Sequence, residues 1–335
     1  MGDKVVPVKC LLIGGTGRSG SNILKKVISQ NQSVFALHFE SRFTVDPDGI
    51  FSTLRSLMQS VSPFEADLLI DRFSIFLNRL ENKTSKDKLA IFLENLAIKT
   101  FFRSTPINFR AYKEWELASH FPDYKQEKDI LLKHLKQYQY AAIWPAKVGI
   151  AKCVENTFLS TDRQAELPIH FSNFLNRVYA SILHKHNKQI YLDDNTYNIL
   201  FAREIMQILP SAHLVHIVRD PRDVVASLSQ QRWAPSNIEM ATQFYKTTMD
   251  QCIKQTEGLS SDQLTILKLE DLCSNTPSVL SNLCSTMGIN LTNEMLAVKL
   301  NKANSGRWMQ DIPKSSHEKI NLELNYYIKK FGYKT

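Results

Sequence analysis

VKCLLIGGTGRSGSNILKKVISQ, residues 8–30, carries the strongest structural signal in this chain. Residues 8–13 form a short apolar run that Gly14 and Gly15 bring to an end, as expected for a buried parallel strand. From Asn22 to Gln30, apolar residues recur at helical spacing. The order strand, glycine loop, helix is typical of α/β proteins, so we predict that class.

The remaining sequence extends this α/β pattern and interrupts it once. From Asp46 to about Ala146 the spacing of apolar residues is helical throughout, and we interpret residues 46–150 as an inserted helical cap. We therefore predict one domain over residues 1–335, with a central parallel sheet of about five strands flanked by helices. Further strands are expected at 34–39, 189–192, 214–218 and 264–269, and further helices at 198–209, from Pro221, at 238–255 and at 278–287.

Composition limits the class of protein. With 335 residues and 43% apolar residues, the chain can bury a large core, which excludes global disorder. A net charge of +8 favours anionic partners, but the basic residues are scattered, so we expect no nucleic-acid surface. The five cysteines form no C-x-x-C pair, no export signal is visible, and no run reaches about 18 apolar residues. These observations predict a cytoplasmic protein with reduced thiols and without a membrane span.

The loop GGTGRSGSN has the features of a phosphate site. It opens a helix, where successive backbone N–H groups and the helix dipole attract an anion. Arg18 adds a forked cation suited to phosphate or sulfonate oxygens. The residues predicted to bind the anion are Gly17, Arg18, Ser19, Gly20, Ser21 and Asn22.

Two nucleotide-binding templates fit this loop to different degrees. As a P-loop it is poor, because Ser21 and Asn22 stand where Lys and a hydroxyl should be. As a dinucleotide fingerprint it fits better, since the spacing of Gly15, Gly17 and Gly20 matches and Glu40 follows about twenty residues on. An NAD(P)-dependent oxidoreductase therefore remains an alternative from this motif alone.

A second basic motif follows a later strand. RDPRDVVAS, residues 219–227, places Arg219 at the carboxyl end of the predicted strand and Pro221 in the first turn of a helix. Ser227 lies about two helical turns further on, so a phosphate beside this helix would meet a guanidinium and a hydroxyl together.

Several separated segments together resemble the sulfotransferase superfamily, in its bacterial and tyrosylprotein-sulfotransferase-like branch. TGRSGSN is similar to the family's 5'-phosphosulfate loop, and VRDPRDVVAS to its 3'-phosphate segment, which implies that Arg219 and Ser227 bind the 3'-phosphate. KLEDL, residues 268–272, is similar to a late strand. SGRW resembles the loop that closes over the nucleotide, so Ser305, Gly306, Arg307 and Trp308 are implied contacts. About half of the chain is covered, and the segment 46–146 is not.

The resemblance implies a P-loop-like sulfotransferase fold and a specific co-substrate. This is 3'-phosphoadenosine 5'-phosphosulfate (PAPS), from which adenosine 3',5'-bisphosphate (PAP) is released without a metal ion. FESR is similar to an acidic-x-Arg element of the family, which implies that Glu40 is the general base beside Arg42. Other members use His, and His38 would share a strand face with Glu40, so it is the second candidate. Arg18 would offset charge on the leaving group.

The sequence departs from the family at two places. Many relatives have Lys after the third strand, where this chain has YLDDNTYN, residues 191–198; Lys302 or Arg307 would have to supply the charge. Leu269 stands where relatives often have an aromatic residue near adenine, which leaves Trp308 as a candidate to stack on the base.

The expected function is transfer of a sulfuryl group to a hydroxyl of a small-molecule acceptor. The alternatives are the NAD(P)-dependent oxidoreductase and a nucleotide-binding protein without catalytic activity. The acceptor itself is not encoded in a readable motif. Aromatic residues of the predicted cap fit either a pocket for the acceptor or packing between helices; they include Phe101, Phe102, Tyr112 and Trp115.

Overall fold

The computed structural model describes residues 6–100, 116–143, 153–300 and 304–334. The chain divides into two compact units. One contains Asp46–Lys185, and the other contains Pro7–Val45 and His186–Thr335. Of the residues discussed above, Phe101, Phe102, Tyr112, Trp115 and Lys302 lie outside the described part of the chain.

The second unit is built on a five-stranded parallel sheet, which confirms the predicted fold class. Its spatial order is β2-β5-β1-β6-β7. The central strand pairs with both neighbours over residues 10–12; Leu12, for example, lies opposite Asp193 on one side and Leu214 on the other. The strands are β1 (Lys9–Gly14), β2 (Val34–Ala36), β5 (Ile190–Asp193), β6 (Ala212–Val218) and β7 (Leu264–Lys268).

This strand order argues against the dinucleotide-binding alternative. In the dinucleotide fold the second strand lies directly beside the first. Here β5 lies between β1 and β2. The glycine spacing that matched the dinucleotide fingerprint therefore belongs to a sheet of different topology.

Helices cover this sheet and fix the glycine loop. Leu11 and Ile13 of β1 share one buried core with Leu24 and Val27 of the first helix, which holds the start of that helix at the carboxyl end of β1. Each such fully buried side chain contributes about 1.5–3 kcal/mol. The helices are α1 (Ser21–Ile28), α8 (Ala202–Ile208), α9 (Pro221–Leu228), α10 (Ile238–Thr256), α11 (Leu269–Ser274), α12 (Thr276–Met287), α13 (Asn293–Leu296), α14 (Trp308–Asp311) and α15 (His317–Lys330), with 3-10 turns at Asn198–Phe201 and Lys314–Ser316.

The second strand is shorter than predicted, and this corrects one argument about the site. β2 ends at Ala36, which pairs with Leu192, and the partner strand itself ends one residue later. Ala36 and Leu192 are the last pair of this ladder among the described residues. His38 and Glu40 therefore lie in a loop, and the shared strand face used to relate them does not exist.

The first unit contains six helices among its described residues and, contrary to the purely helical prediction, a β-hairpin. β3 (Tyr138–Ile143) pairs antiparallel with β4 (Cys153–Phe158). Tyr138 lies opposite Phe158, and their rings stack at 5.1 Å, a cross-strand pair that stabilises such ribbons. The helices are α2 (Ile50–Gln59), α3 (Pro63–Glu81), α4 (Ser85–Thr100), α5 (Leu117–His120), α6 (Tyr124–Leu135) and α7 (Thr161–His186). Within the described residues, no helix has the length and apolar character needed to span a bilayer.

Candidate active site

The glycine loop between β1 and α1 is shaped by left-handed backbone. Gly17, Arg18 and Gly20 have φ values of 80°, 57° and 105°. Gly20 is the N-cap residue of α1 and brings no side chain to the first amides of that helix, where an anion is favoured. Its φ of 105° is strained for any residue with a side chain, and an added Cβ would also lie 2.7 Å from the Leu269 side chain. Ser19 is buried beneath the loop.

The two predicted phosphate-binding motifs meet in space. Arg18 Nε donates a hydrogen bond to Ser227 Oγ at 2.9 Å, and Arg219 Nη1 donates to the Arg18 carbonyl at 3.4 Å. The Arg219 side chain is only 11% exposed, and its Nε has no hydrogen-bond partner among the described residues. A buried guanidinium N–H without a partner is costly, which favours an anionic ligand at this position.

Local contacts at the start of α9 determine which acid lies beside Arg219. Asp220 caps the helix by accepting from the Arg222 backbone N–H at 2.9 Å, and its carboxylate pairs with the Arg222 side chain at 2.7 Å. The backbone N–H of Asp220 donates to Glu270 at 3.1 Å. Asp220 is therefore neutralised by Arg222, whereas Arg219 Nη2 lies 4.0 Å from the buried carboxylate of Asp223.

The SGRW segment is tied to the same helix. Asp223 accepts hydrogen bonds from the backbone N–H groups of Gly306 and Trp308, both at 2.9 Å, and burial raises its pKa. Arg219 Nη2 donates to the Asn304 carbonyl at 3.2 Å. Ser305 and Arg307 are exposed, and Arg307 pairs with Asp311 at 2.8 Å.

Trp308, the candidate adenine-stacking residue, packs inside the protein. Its side chain is 7% exposed, with the Arg222 guanidinium 4.7 Å above the ring and the His317 ring 4.8 Å away. Both contacts occupy surfaces that a base would need. Trp308 therefore does not line the cavity described next.

A cavity of about 690 Å³ joins the two motifs, within the size range of small-molecule sites. Seven of the predicted residues line it: Gly17, Arg18, Gly20, Ser21, Asn22, Glu40 and Arg219. Five further lining residues were assigned no functional role from the sequence: Ile23, Thr196, Tyr197, Trp233 and Asn304. Ser227 reaches the cavity through its bond to Arg18, whereas His38 and the residues 305–308 do not line it.

The cavity has two distinguishable ends on either side of the glycine loop. At Gly17 an added Cβ would lie 3.0 Å from the Trp233 ring and 3.4 Å from the Thr196 methyl group. At Gly20 the neighbour is Leu269 instead. Trp233 is 52% exposed, and its ring meets Phe244 edge-on at 6.5 Å. The sequence offered one signal for it, a single Trp in a polar loop shortly after Ser227.

Glu40, which lines the cavity, has a side-chain pKa well above the ordinary value of a glutamate. Burial, reinforced by the charge of Asp194, raises the pKa of its carboxyl to about 7, although Arg42 at 3.9 Å opposes the shift. Its side chain is 30% exposed, so it remains reachable from the cavity. His38 is exposed, and its ring meets Phe39 edge-on at 4.7 Å.

A lysine does lie beside the acidic segment after β5, and it comes from α1. Lys25 Nζ is 2.8 Å from Asp194 Oδ1, with side chains that are 16% and 1% exposed. Its helical spacing gave no hint of this contact, because a lysine on an amphipathic helix ordinarily faces water. No cluster of three or more His, Cys, Asp or Glu side chains with metal-binding geometry occurs among the described residues.

Comparison with solved structures relates the fold to bacterial sulfotransferases. Sulfotransferase STF9 from Mycobacterium avium aligns with a TM-score of 0.50 at 12% identity, over 98% of this chain and 78% of that one. The sulfotransferase domain of the olefin synthase of Synechococcus PCC 7002 aligns with a TM-score of 0.48 at 14% identity, over 99% of this chain and 98% of that one. A search of curated proteins finds no match.

The sequence itself matches a family model over most of its length. The model describes the sulfotransferase family, and the match runs over residues 11–293. That span contains the glycine loop, Glu40 and the RDPRDVVAS segment, and it includes Asp46–Lys185 of the first unit. This chain therefore belongs to the sulfotransferase family.

Proposed function

We propose that this protein binds PAPS in the cavity between the glycine loop and α9 and transfers its sulfuryl group to a hydroxyl of a small-molecule acceptor. The observation that supports this most directly is that Arg18, Ser227 and Arg219 meet at a cavity that Glu40 also lines. The adenosine carries phosphate groups on both its 5' and 3' positions. A cavity lined by two arginine side chains, Arg18 and Arg219, offers forked cationic donors for both groups.

The proposed assignments follow from the contacts of each group. The amides of the glycine loop, with Arg18, Ser21 and Asn22, hold the 5'-phosphosulfate. Arg219, whose Nε lacks a partner, and Ser227 hold the 3'-phosphate. Of the segment 304–308, Asn304 lines the cavity and is held there by its bond to Arg219, so it is the part of the segment that contacts the nucleotide.

The chemistry is an in-line displacement at sulfur. The acceptor oxygen forms a bond to sulfur as the bond from sulfur to the 5'-phosphate oxygen breaks, and PAP leaves. The acceptor proton passes to the Glu40 carboxylate, whose pKa of about 7 suits a base working near neutral pH. Arg18 and the loop amides offset the charge that develops on the leaving oxygen.

The acceptor is proposed to bind at the Trp233 end of the cavity. Glu40 lies near Asp194, and Asp194 precedes Thr196 by two residues in the chain. Thr196 and Trp233 both lie beside Gly17, on the same side of the glycine loop. The Leu269 side is left for the adenosine. A half-exposed Trp ring in a cavity offers a flat apolar wall, which favours an acceptor with an apolar or aromatic body.

A transfer assay tests the proposal. The protein is incubated with PAPS and a pool of hydroxyl-bearing metabolites, and PAP and sulfated products are followed by mass spectrometry. We expect PAP to appear only when an acceptor is present. Quenching of NADPH fluorescence, with no binding of PAP measured by calorimetry, would instead favour the oxidoreductase alternative.

A further inference from the structure

The loop that carries Glu40 has no strand to hold it, so side-chain contacts must do so. Ser41, the next residue, is buried. Asp193 Oδ1 accepts from the Ser41 hydroxyl at 2.7 Å and from its backbone N–H at 3.3 Å. The other oxygen of Asp193 accepts from Asn198 at 3.1 Å, which fixes the carboxylate. The end of β5 therefore holds the loop on one side of Glu40.

Lys25 holds the same loop on the other side of Glu40. Its ammonium donates to the carbonyl of Phe39 at 3.4 Å and to Asp194 Oδ1 at 2.8 Å. Lys25 lies on α1, the helix whose first turn forms the phosphate loop. The phosphate loop and the loop of Glu40 thus share one rigid helix, so their separation is fixed.

We infer that Asp193, Asp194 and Lys25 are positioning residues that fix the Glu40 carboxylate at the cavity and set the charge around it. None of the three lines the cavity, so they act through Glu40 and not on the substrate. The inference rests on the proposed function for its catalytic meaning. The geometric part of the inference rests on the contacts of Asp193 with Ser41 and of Lys25 with Phe39, the residues on either side of Glu40.

The charges that act on Glu40 come from three elements. Asp194 and Asp193, at the end of β5, raise the pKa of its carboxyl in addition to burial, whereas Arg42 on its own loop and Lys25 on α1 lower it. Removing the acid Asp194 should therefore make Glu40 a stronger acid. Removing the cation Lys25 should make Glu40 a weaker acid, because Asp194 then faces it without compensation.

The test is a direct titration of Glu40 in the full-length protein. Glutamate side-chain carboxyls are labelled with ¹³C, and the Glu40 signal is assigned from its absence in Glu40→Gln. We expect the pKa of Glu40 to fall by about one unit in Asp194→Asn and to rise by a smaller amount in Lys25→Met, because Asp194 acts on Glu40 more strongly than Lys25 does. The pKa in the double variant should lie between those of the two single variants, since both charges are gone. Lys26→Met, an exposed neighbour on α1, is the matched control and should change nothing.

The opposite signs separate this inference from a general loss of structure. Unfolding or loosening would move both single variants toward the ordinary pKa of a glutamate, and that result would overturn the inference, as would no shift in either variant. The pH midpoint of kcat/KM should follow the titration in each variant. An absence of sulfuryl transfer by the wild-type protein would count against the proposed function alone, because the titration reports the coupling without turnover.

Discussion

The two ends of the cavity are built in different ways. The phosphate end is made mostly of backbone: amides at the start of α1, left-handed residues in the loop, and two arginine side chains. The end with Glu40 is made of side chains from a loop without secondary structure, held by β5 and α1. A backbone site tolerates changes of individual side chains, whereas a side-chain site depends on each one. The following variants test this contrast.

The largest effect is expected at the side-chain end, from Glu40→Gln. Without a base, the acceptor must lose its proton to water, so kcat should fall by roughly 10²–10⁴-fold. The amide keeps the shape of the side chain, so the Kd for PAP should stay unchanged. The measurement is PAP release at saturating PAPS. His38→Gln is the matched comparison and should keep most of the activity; a larger loss there would transfer the role of base to His38.

At the phosphate end, Arg219→Ala should mainly weaken nucleotide binding. A charge-assisted hydrogen bond contributes about 1.5–3 kcal/mol, which corresponds to roughly 10- to 150-fold in the Kd for PAP. Ser227→Ala removes a neutral hydroxyl and should cost less. Calorimetry with PAP and with adenosine 5'-phosphosulfate separates the two phosphate positions, because only the former carries the 3'-phosphate.

Arg232→Ala, in the exposed loop after α9, is the control for loss of positive charge and should leave the Kd for PAP near its wild-type value. Equal weakening of PAP and adenosine 5'-phosphosulfate in Arg219→Ala would contradict the assignment of Arg219 to the 3'-phosphate.

The pH dependence of kcat/KM reports the base end alone. Only ionised Glu40 accepts a proton, and its pKa is about 7, so the rate should rise about tenfold per pH unit below that value and level off above it. In Glu40→Gln, the residual kcat/KM should no longer fall as the pH is lowered below about 7. A fall that persists in this variant would assign the titration to another group.

The smallest effect is expected at Trp233. Trp233→Ala removes the apolar wall proposed for the acceptor, and contacts between aromatic rings contribute about 0.5–1.5 kcal/mol, so KM for the acceptor should rise by roughly 2- to 12-fold. The KM for PAPS should not change, and Trp233→Phe should retain most of the affinity. A rise in the Kd for PAP instead would place the adenine against this ring.

The same contrast explains which parts of the fold and of the candidate site could be predicted from the sequence. The glycine loop and RDPRDVVAS are each a short contiguous segment at the junction of a strand and a helix, so both motifs could be recognised from the sequence. The roles of Lys25, Asp193 and Trp233 depend on which distant segments the fold brings together, and no local pattern encodes that. The length of β2 also escaped prediction, because it is set by where β5 stops pairing and not by the apolar run SVFALHF. The hairpin of β3 and β4 was missed because short apolar segments suit either a strand or a helix.

The bond from Arg18 to Ser227 joins residues that are 209 positions apart in the chain. A contact of such span forms only after the intervening segments have been ordered, since closing a long loop early carries an entropy penalty without compensating contacts. We therefore expect the cavity at this bond to form late in folding. A ligand that binds there stabilises only the finished state, so tight binding of PAP would also serve as a gauge of correctly folded protein in any preparation of a variant.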